Sequence, residues 1–585
     1  MKIPQTNWRQ TNRSDVLGSL WSSFNLDLTD NLGVTRVSPR TLLTTDNITD
    51  LGIPCAFEFF DTLYWAIAGS YIFNNSGVTN GNFAKDATGS SPTSYNSDES
   101  DLELFNGFLY TSATGGLFKK TANGSGGGAW SADLLATLET AFPHLLLAFG
   151  DRLYVTDDGH IIHSLDDGDT PASPSGTPNT VSYTLDLSIF GGSAKNTISC
   201  MKATTQYIWI GTINLNQGKA RVYYWDGAQP TPNGFVELDS SGALSMVIKD
   251  DVPYIMDTNG ALLQFNGGTF KEIARLPYDK FVYLDNVYDI DHTDRPIHPN
   301  GMTIVDDKIN VLVNNLNFNE AESENENLPA GIWEFDERIG LYHKLSLSYH
   351  AFSAGSVEDY GQNKLSKVGA ITHAKNNSKA ANTDGHMLIG AQYFSDATTT
   401  AKGIWTTNVR DTKQKYGYLV TTKIFSANLK DSWQKVYTRI KRLLDSTDKI
   451  VVKYRTTEET PVTTTITWVN TTSFTVTAAN VPDLAVGDEV EVLQGDGSGQ
   501  CSHITAITGT TTYTVTVDET YTGATTNTAK ARFQKWIKSN VTISQTEDYF
   551  EFPLGAMTPW IQIKVCFRFT GKNEMYDMIL INEKQ

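Results

Sequence analysis

The apolar and polar positions of this chain follow a pattern that returns about every 45 to 55 residues. In each copy an apolar strand, a tight polar turn and a second apolar strand come in succession, followed by a glycine turn and a shorter strand. The clearest copies read FFDTLY at 59–64, FNGFLY at 105–110 and FGDRLY at 149–154. Self-similarity at this period, with several short strands in each copy, predicts the blades of a β-propeller.

Further copies are centred at 207–227, 250–268 and 306–336, and a looser copy lies at 386–405. Asp and Asn next to Gly supply the positive φ angles that hairpin turns require. The strand after each turn is rich in aromatic and β-branched residues, which suits burial on both faces between neighbouring blades. Because one blade cannot bury both its faces alone, we predict a closed ring of six or seven blades over residues 51–412.

The pattern changes on either side of this region. Residues 1–50 predict an N-terminal lead-in strand or arm, which could close a blade or lie along the surface of a neighbour. The clean alternation at 561–569 is typical of a half-buried sandwich strand. We assign a C-terminal β-sandwich to residues 413–462 plus 533–585, and a small inserted β-domain to the Thr- and Val-rich residues 463–532. The predicted fold class is therefore all-β: a propeller followed by a β-sandwich that carries a small insert.

Composition narrows the function classes. The chain has 585 residues, with 46 Lys or Arg and 65 Asp or Glu, so its formal net charge is −19. A chain of this length has room for about two to four domains. No basic stripe is visible, so sequence-specific nucleic-acid binding is not expected. The N-terminus lacks the apolar core of a signal peptide and no apolar run reaches the length of a membrane span, so neither is expected.

The four cysteines are far apart in the sequence and form no CxxC pair or Cys/His cluster. We expect them to be core thiols rather than members of a disulfide framework or ligands of a zinc site. They are Cys55, Cys200, Cys501 and Cys566.

Sequence signatures of catalysis are weak. The chain has no Walker sequence, no GxGxxG that opens a helix and no GxSxG, and the glycine run at 495–499 is interpreted as a β-turn. The segment SLDDGDT at 164–170 is similar to the Asp-box of sialidase-type blades, but Pro171 stands where that box has its closing aromatic residue. The box stabilises a turn and is not catalytic, and glycan hydrolysis needs two carboxylates across one cleft. We therefore assign no catalytic residue.

The residues that could bind a metal ion or a sugar also have structural explanations. His160 and His163 are three apart on a predicted strand, so they should face opposite sides and not chelate together. Acidic loops at 166–169 and 289–294 offer oxygen ligands without the spacing of a known calcium loop, so polar turns are favoured and no cofactor or metal is assigned. Four tryptophans recur at equivalent blade positions, where core packing explains them better than a sugar-binding platform. They are Trp209, Trp225, Trp333 and Trp405.

Several runs in the C-terminal third resemble tail proteins of tailed bacteriophages. They are KVY at 435–437, KIVVKYR at 449–455, FEFPLGA at 550–556, PWIQIKV at 559–565 and YDMILINE at 576–583. The insert, with VGDEV at 486–490 and GSG at 497–499, is similar to small β-modules of phage structural proteins, and the opening at 21–40 has the same character. A propeller with a β-sandwich resembles the tail nozzle of short-tailed phages and also the tail-tip proteins of long-tailed phages.

The resemblance implies a structural protein of a phage virion tail, synthesised in the host cytoplasm and without catalytic activity. It would be a ring or scaffold subunit in contact with identical copies and other tail proteins, since closed rotational symmetry is the default for identical subunits. An acidic channel wall suits the passage of DNA without retaining it. Because propellers host many functions, three alternatives stay open: a peripheral adhesin that binds a host surface glycan or protein, a glycan-cleaving enzyme, and a monomeric propeller.

Overall fold

The computed structural model describes residues 2–4, 20–24, 41–42, 53–68, 71–75, 83–86, 100–113, 116–120, 130, 138, 144–166, 170–171, 183–190, 196–216, 218–276, 296–314, 331–337, 339–346, 368–374, 387–394, 400–406, 416–425, 432–440, 449–457, 461–495, 497, 501–521, 524, 527–539, 549–568 and 575–583. These residues form antiparallel β-strands and the short 3₁₀ helices Leu187–Phe190 and Ala478–Asn480. The predicted all-β class is confirmed. In this part of the chain no helix is both long and apolar enough to cross a bilayer.

The N-terminal segment contributes three short strands, each of which pairs with a strand far along the chain. They are β1 (Lys2–Pro4), β2 (Leu20–Phe24) and β3 (Thr41–Leu42).

Among the described residues between 53 and 406, the strands form seven antiparallel sheets. The first three contain β4 (Pro54–Phe60), β5 (Leu63–Ala68), β6 (Tyr71–Asn74) and β7 (Ala84–Lys85); β8 (Leu102–Phe105), β9 (Phe108–Ala113) and β10 (Gly116–Lys119); and β11 (Leu146–Phe149), β12 (Arg152–Asp157), β13 (Ile161–Asp166), β14 (Thr170–Pro171) and β15 (Tyr183–Asp186). The fourth and fifth contain β16 (Asn196–Ala203), β17 (Ile208–Asn214), β18 (Arg221–Trp225) and β19 (Gly234–Glu237); and β20 (Ala243–Lys249), β21 (Val252–Asp257), β22 (Ala261–Phe265) and β23 (Phe270–Arg275). The last two contain β24 (Met302–Val305), β25 (Lys308–Val313), β26 (Gly331–Asp336) and β27 (Gly340–Ser346); and β28 (Val368–His373), β29 (Met387–Phe394) and β30 (Thr400–Thr406).

The seven sheets contact one another in a closed circle. The first strand of each sheet lies against the first strand of the next, in the order β4, β8, β11, β16, β20, β24 and β28, and β28 returns to β4. This is propeller geometry, with the first strands nearest the axis. β3 pairs with β30, with Thr41 opposite Thr406 and Leu42 opposite Trp405, so the N-terminal segment supplies the outer strand of the seventh sheet.

A hydrophobic cluster fills each interface between neighbouring sheets. Trp225 of the fourth sheet packs against Tyr154 of the third, with ring centroids 5.4 Å apart, and Trp209 joins the cluster between the fourth and fifth sheets. The last interface closes the circle, because Leu388 of the seventh sheet packs with Tyr64 of the first. Burying both faces of every sheet is the condition that the sequence pattern predicted for a ring of blades.

Four hairpins between first and second strands have Asp or Asn at the first turn position, as expected, although Gly follows it only in the second sheet. Asp61, Asp250 and Asp306 have φ angles of 47°, 50° and 49°, and Asn106 has 48° at the equivalent position of the second sheet. Each is followed by a second residue with positive φ, as type I′ turns require. Asp tolerates the left-handed region better than most residues, so the turn type forms without Gly at the second position.

The strands after residue 415 form two further sheets and a barrel. They are β31 (Tyr416–Thr421), β32 (Ile424–Phe425), β33 (Ser432–Ile440), β34 (Lys449–Arg455), β35 (Val462–Asn470), β36 (Ser473–Thr477), β37 (Glu489–Gly495), β38 (Cys501–Thr508), β39 (Thr512–Val517), β40 (Thr528–Gln534), β41 (Ile537–Lys538), β42 (Tyr549–Met557), β43 (Trp560–Arg568) and β44 (Met575–Glu583).

Two C-terminal sheets share one hydrophobic cluster. Their strand orders are β1-β44-β33-β42 and β2-β31-β43-β34-β41, with β32 beside β43. Trp433 and Phe552 from the first sheet and Ile563 from the second belong to the cluster, which also takes in Ile339 and Tyr342 from the sixth sheet of the ring. Apolar side chains of the ring and of the C-terminal sheets therefore pack in the same hydrophobic cluster.

The insert is a closed six-stranded barrel in the order β35-β36-β39-β38-β37-β40. Its interior is filled by apolar side chains, including Trp468, Phe474 and Phe533, and Trp468 lies 4.8 Å from Tyr521 between ring centroids. A barrel that closes on itself has no open sheet edge, so the insert can protrude from its parent without a strand that other chains could pair with.

Candidate functional site

Three carboxylates lie beside the axis of the ring. Glu58 is on β4, Asp101 directly precedes β8, and Glu103 is on β8. Glu58 and Glu103 each stand two residues before the end of their strand, so the two carboxylates lie at the same depth in adjacent sheets. These are the most perturbed acidic groups near the axis, and they are the first candidates for a functional site.

The oxygens of these carboxylates accept hydrogen bonds from backbone amides. Asp101 Oδ2 accepts from the N–H of Leu146 at 3.1 Å, and Glu103 Oε1 accepts from the N–H of Ala148 at 3.2 Å. Leu146 and Ala148 are alternate residues of β11, the innermost strand of the third sheet. An innermost strand has one edge without a partner strand, so its inward N–H groups need acceptors. The carboxylates of Asp101 and Glu103, at the inner edge of the second sheet, are these acceptors.

Asn300 connects several sheets near the axis of the ring. Its side-chain Nδ2 donates to Cys55 O at 3.2 Å and to Asp101 Oδ1 at 3.0 Å, and its backbone carbonyl oxygen accepts from the N–H of Ile371 at 2.9 Å. The sixth sheet is thereby joined to the first, second and seventh.

Burial raises the pKa of all three carboxyl groups. The pKa of Glu103 rises to about 8, because of burial first and then the negative charge of Glu58. The pKa of Glu58 rises to about 7, again through burial, while the Phe59 amide and the Lys202 ammonium act in the opposite direction. Burial likewise raises the pKa of Asp101. The cluster can therefore take up or release protons near neutral pH.

These carboxylates resemble structural acceptors more than catalytic groups. Each accepts a backbone amide, and no set of three His, Cys, Asp or Glu side chains within the described ranges is placed to hold a metal ion. Glycan hydrolysis would need one carboxyl group free to protonate the leaving oxygen and a second facing it. The arrangement fits the fastening of sheet edges.

A second acidic feature, here named the acidic hairpin face, is formed by exposed aspartates in the turns between first and second strands. These turns lie at the same end of the ring, because all first strands of a propeller run in the same direction. Lys249 Nζ approaches Asp307 Oδ1 at 3.2 Å, and Asp251 accepts from the amide and hydroxyl of Thr205 at 2.7 Å each. The face comprises Asp61, Asp151, Asp250, Asp251, Asp306 and Asp307.

A cationic and aromatic feature, here named the corner patch, lies at one end of the C-terminal sheets. It comprises Lys423, Phe425, Arg455, Met557 and Trp560. Phe425 stands opposite Trp560 across the β32–β43 pair, and Lys423 Nζ lies 5.2 Å from the Trp560 ring centroid. Phe425 is 52% exposed and Met557 is 58% exposed. Large apolar side chains at this exposure, beside two cations, are typical of a contact surface.

A buried ion pair joins the barrel to its parent sheet. Lys453 Nζ on β34 donates to Glu489 Oε2 on β37 at 2.6 Å, and neither side chain is exposed. Burial raises the pKa of Glu489, but the charges of Lys453, Lys564 and His503 outweigh it and lower the pKa to about 2. The barrel is therefore attached by a charged contact that excludes water.

The residues singled out in the sequence have mostly structural surroundings. The four tryptophans are buried and the four cysteines are free thiols in the core, both as expected. His163 is buried with its Nε2 2.8 Å from Asp157 Oδ2, whereas His160 lies in the turn before β13 rather than on the strand. The loop at 289–294 lies outside the described residues, as does 167–169 of the other acidic loop.

Sequence reasoning missed both acidic features and the corner patch. A signal for the axial carboxylates was present, since Glu58 and Glu103 interrupt apolar strands at the same offset from a hairpin. The corner patch had no such signal, because its residues come from three separate segments that meet only through strand pairing.

No protein-family model and no curated protein matches this chain. Among solved structures, the chain is similar to the β-propeller domain of Cps50 (Swd1) from Myceliophteria thermophila, with 10% identity, 63% of this chain and 99% of that chain covered, and a TM-score of 0.36. BamB from Moraxella catarrhalis has 13% identity, coverages of 64% and 97%, and a TM-score of 0.28. The computationally designed Ika8 protein has 13% identity, coverages of 60% and 99%, and a TM-score of 0.32. Likenesses of this strength carry no argument about function.

Proposed function

We propose that this protein is a structural subunit of a bacteriophage tail, a ring or scaffold component without catalytic activity. The proposal includes a seven-bladed propeller and a β-sandwich formed by the two C-terminal sheets. The assignment to a virion rests on the C-terminal runs that resemble phage tail proteins. The role of a scaffold is supported by the way in which the strands of distant segments pair.

The main support for a scaffold is that the N-terminal segment pairs with strands in both the ring and the C-terminal sheets. β1 and β2 pair with β44 and β31 in the C-terminal sheets, while β3 pairs with β30 in the ring. One N-terminal segment therefore holds both parts, and the shared cluster with Tyr342 and Ile339 adds a second attachment. Such a subunit resists relative movement of its parts, which suits a component that transmits force.

The state of the acidic groups supports the absence of catalysis. The axial carboxylates are engaged by backbone amides, and Asn300 donates a further hydrogen bond to Asp101. A substrate would have to displace these contacts, which hold the inner edges of the sheets. The exposed carboxylates instead lie on hairpin tips, where they are presented to a neighbour or to passing DNA.

The experiment that tests this proposal is localisation in assembled particles. Phage particles that contain this protein are imaged by electron cryomicroscopy, and an antibody fragment raised against the inserted barrel marks the position of the subunit. We expect several symmetry-related copies on the tail. Particles without the label, together with a purified chain that cleaves oligosaccharides, would contradict the proposal in favour of an enzyme.

A peripheral adhesin is the second candidate function, and one observation favours it. The exposed Phe425 stands opposite the half-buried Trp560, with Lys423 beside them, which is a surface that an anionic sugar could occupy. An adhesin would retain glycans as a monomer and lie at the periphery of the particle, so the same imaging experiment separates it from a ring component.

A further inference from the structure

We propose that a pocket at one end of the inserted barrel binds a guanidinium group on a short alkyl stem, the chemistry of an arginine side chain or of a free alkylguanidine. The inference goes beyond the proposed function, because it concerns a ligand of the barrel and not the assembly of a ring. The pocket has a volume of about 230 Å³ and lies where β35 begins and β40 ends. Sites for drug-sized ligands have roughly 300–1,000 Å³, so this one suits a single side chain or a molecule of similar size.

Two consecutive turns build one side of the pocket. In the first, Pro482 occupies the second position, where its fixed φ suits a β-turn, and the N–H of Leu484 donates to Val481 O at 3.2 Å. In the second, at 485–488, Gly487 has a φ of 97° at the third position, which few other residues adopt. Because these turns are fixed by their own backbone, the pocket is formed before a ligand arrives, which lowers the cost of binding.

Lys535 joins the two turns. Its Nζ donates to the backbone oxygen of Asp483 in the first turn and, at 2.8 Å, to Asp488 Oδ2 in the second. The side chain of Asp488 is 8% exposed, and its Oδ2 also accepts from the N–H of Ala485 at 2.8 Å. The ammonium group of Lys535 is therefore engaged by acceptors of the pocket wall, which disfavours an anionic ligand.

The rest of the lining favours a cation with an apolar stem. Val462, Val481 and Leu484 supply aliphatic surface, along which the methylene groups of a basic side chain can pack. Asp483 lies in an exposed turn, and within the described ranges nothing donates to its carboxylate. The charged residues of the lining are two carboxylates and one ammonium, so the pocket carries one net negative charge. A guanidinium can donate two parallel hydrogen bonds to a carboxylate, and it is more weakly hydrated than an ammonium.

A sugar fits this pocket less well. The aromatic side chain of the described lining is Phe533, which is 6% exposed. It packs inside the barrel against Phe474, with the two ring centroids 6.1 Å apart. Its ring face is therefore occupied by the barrel core and does not offer a platform on which a sugar ring could stack.

Binding is tested on the full chain, labelled with ¹³C at the methyl groups of Val and Leu and observed by methyl NMR. Butylguanidinium is titrated in, and butylurea serves as its neutral isostere. We expect butylguanidinium to shift the methyl signals of Val462, Val481 and Leu484, and butylurea to bind at least tenfold more weakly. Val469, which is 50% exposed on β35 of the same barrel and outside the pocket, reports non-specific contact and should not shift.

The same comparison with peptides distinguishes the two sources of the guanidinium. The probes are a blocked Gly-Arg-Gly peptide and its citrulline counterpart, in which a neutral urea replaces the guanidinium. If the arginine peptide binds as tightly as butylguanidinium and the citrulline peptide does not, the ligand is a side chain of a polypeptide. If butylguanidinium binds and the arginine peptide does not, the ligand is a free alkylguanidine.

Asp483→Asn tests the carboxylate on which the proposal depends. The change keeps the backbone oxygen that accepts from Lys535, so the turn should be retained, and the methyl spectrum of the free variant checks this. Butylguanidinium should bind about tenfold more weakly or worse, while binding of butylurea should change little. Asp151→Asn, at an exposed aspartate in a turn of the third sheet, is the matched control and should leave both affinities unchanged.

Three results would overturn the inference: equal affinity for butylguanidinium and butylurea, unchanged butylguanidinium affinity in Asp483→Asn, or no shift of the three pocket methyl signals. Each would leave the proposed tail function as it stands, because localisation in particles tests that function separately. Conversely, a chain that is absent from the tail but binds butylguanidinium as described would contradict the tail proposal and keep the pocket.

Discussion

Replacement of Glu103 by glutamine removes one ionisable group from the axis while keeping the oxygen that accepts the Ala148 amide. The folded pKa of Glu103 is about 8, above its ordinary value of 4.5, so the folded protein holds this proton more tightly than the unfolded chain does. The contribution of Glu103 to stability is therefore greatest at low pH, falls as the pH rises from about 4.5 to about 8, and is level beyond that range. The glutamine variant has no such loss at this position.

The size of the effect follows from the pKa. The interval between 4.5 and about 8 corresponds to about 5 kcal/mol for an isolated group, which is an upper limit. Glu103 is only half-buried, so solvent screens its charge, and it shares its titration with Glu58. We therefore expect Glu103→Gln to stabilise the ring by about 2 kcal/mol above pH 8 and by little at pH 5.

The assay is the urea midpoint of unfolding measured by tryptophan fluorescence at pH values from 5 to 9. Glu237→Gln is the control, because Glu237 is an exposed carboxylate on β19 of the same ring. The two midpoint curves of wild type and Glu103→Gln should diverge as the pH rises. Parallel curves across the whole range would refute the reasoning, because they would show that ionisation of Glu103 carries no cost in the folded state.

Three further predictions test packing and ring closure. Trp225→Ala removes a fully buried side chain, and we expect a loss of about 3–5 kcal/mol of unfolding free energy through cavity formation; an unchanged unfolding midpoint would show that Trp225 is not core. Lys453→Ala leaves Glu489 buried without its ion-pair partner, so we expect a loss of about 3–5 kcal/mol in the barrel–parent unit near neutral pH. Because the folded pKa of Glu489 is about 2, the stabilisation that the pair gives should persist above about pH 4.5 and disappear as the pH falls towards 2, so wild type and variant should converge in acid; constant separation of their melting temperatures would contradict this. Gly369→Ala places a Cβ in steric conflict with Pro54 O at the junction of the seventh and first sheets, so we expect a loss of about 1–3 kcal/mol of unfolding free energy by calorimetry, and no loss would mean that the ring is not closed there.

The sequence predicted those parts of the fold that have a local signal. The repeats at 59–64, 105–110 and 149–154 form hairpins between β4 and β5, β8 and β9, and β11 and β12, because strand alternation and turn residues are contiguous. The all-β class and the propeller-like ring follow from such repeats and are confirmed. The β-sandwich and the phage tail assignment stay predictions.

The remainder depends on contacts between distant segments. Thr41 and Leu42 form a two-residue strand whose partner lies at 405–406, and two residues carry no pattern that could specify it. The axial cluster likewise depends on which strands become neighbours in the ring, as with Asp101 and Asn300. Sequence periodicity identifies units, whereas the pairing of their ends is decided by tertiary packing.

The placement of β1 and β2 has a consequence for biosynthesis. Their partners β44 and β31 lie far later in the sequence. During synthesis, β1 and β2 therefore remain without these partners until β44 and β31 have been made. Pairings at such sequence separation form slowly and leave strand edges open to aggregation. A polypeptide that ends before β31 lacks both pairings, so its first segment should not be able to fasten the ring to the C-terminal sheets.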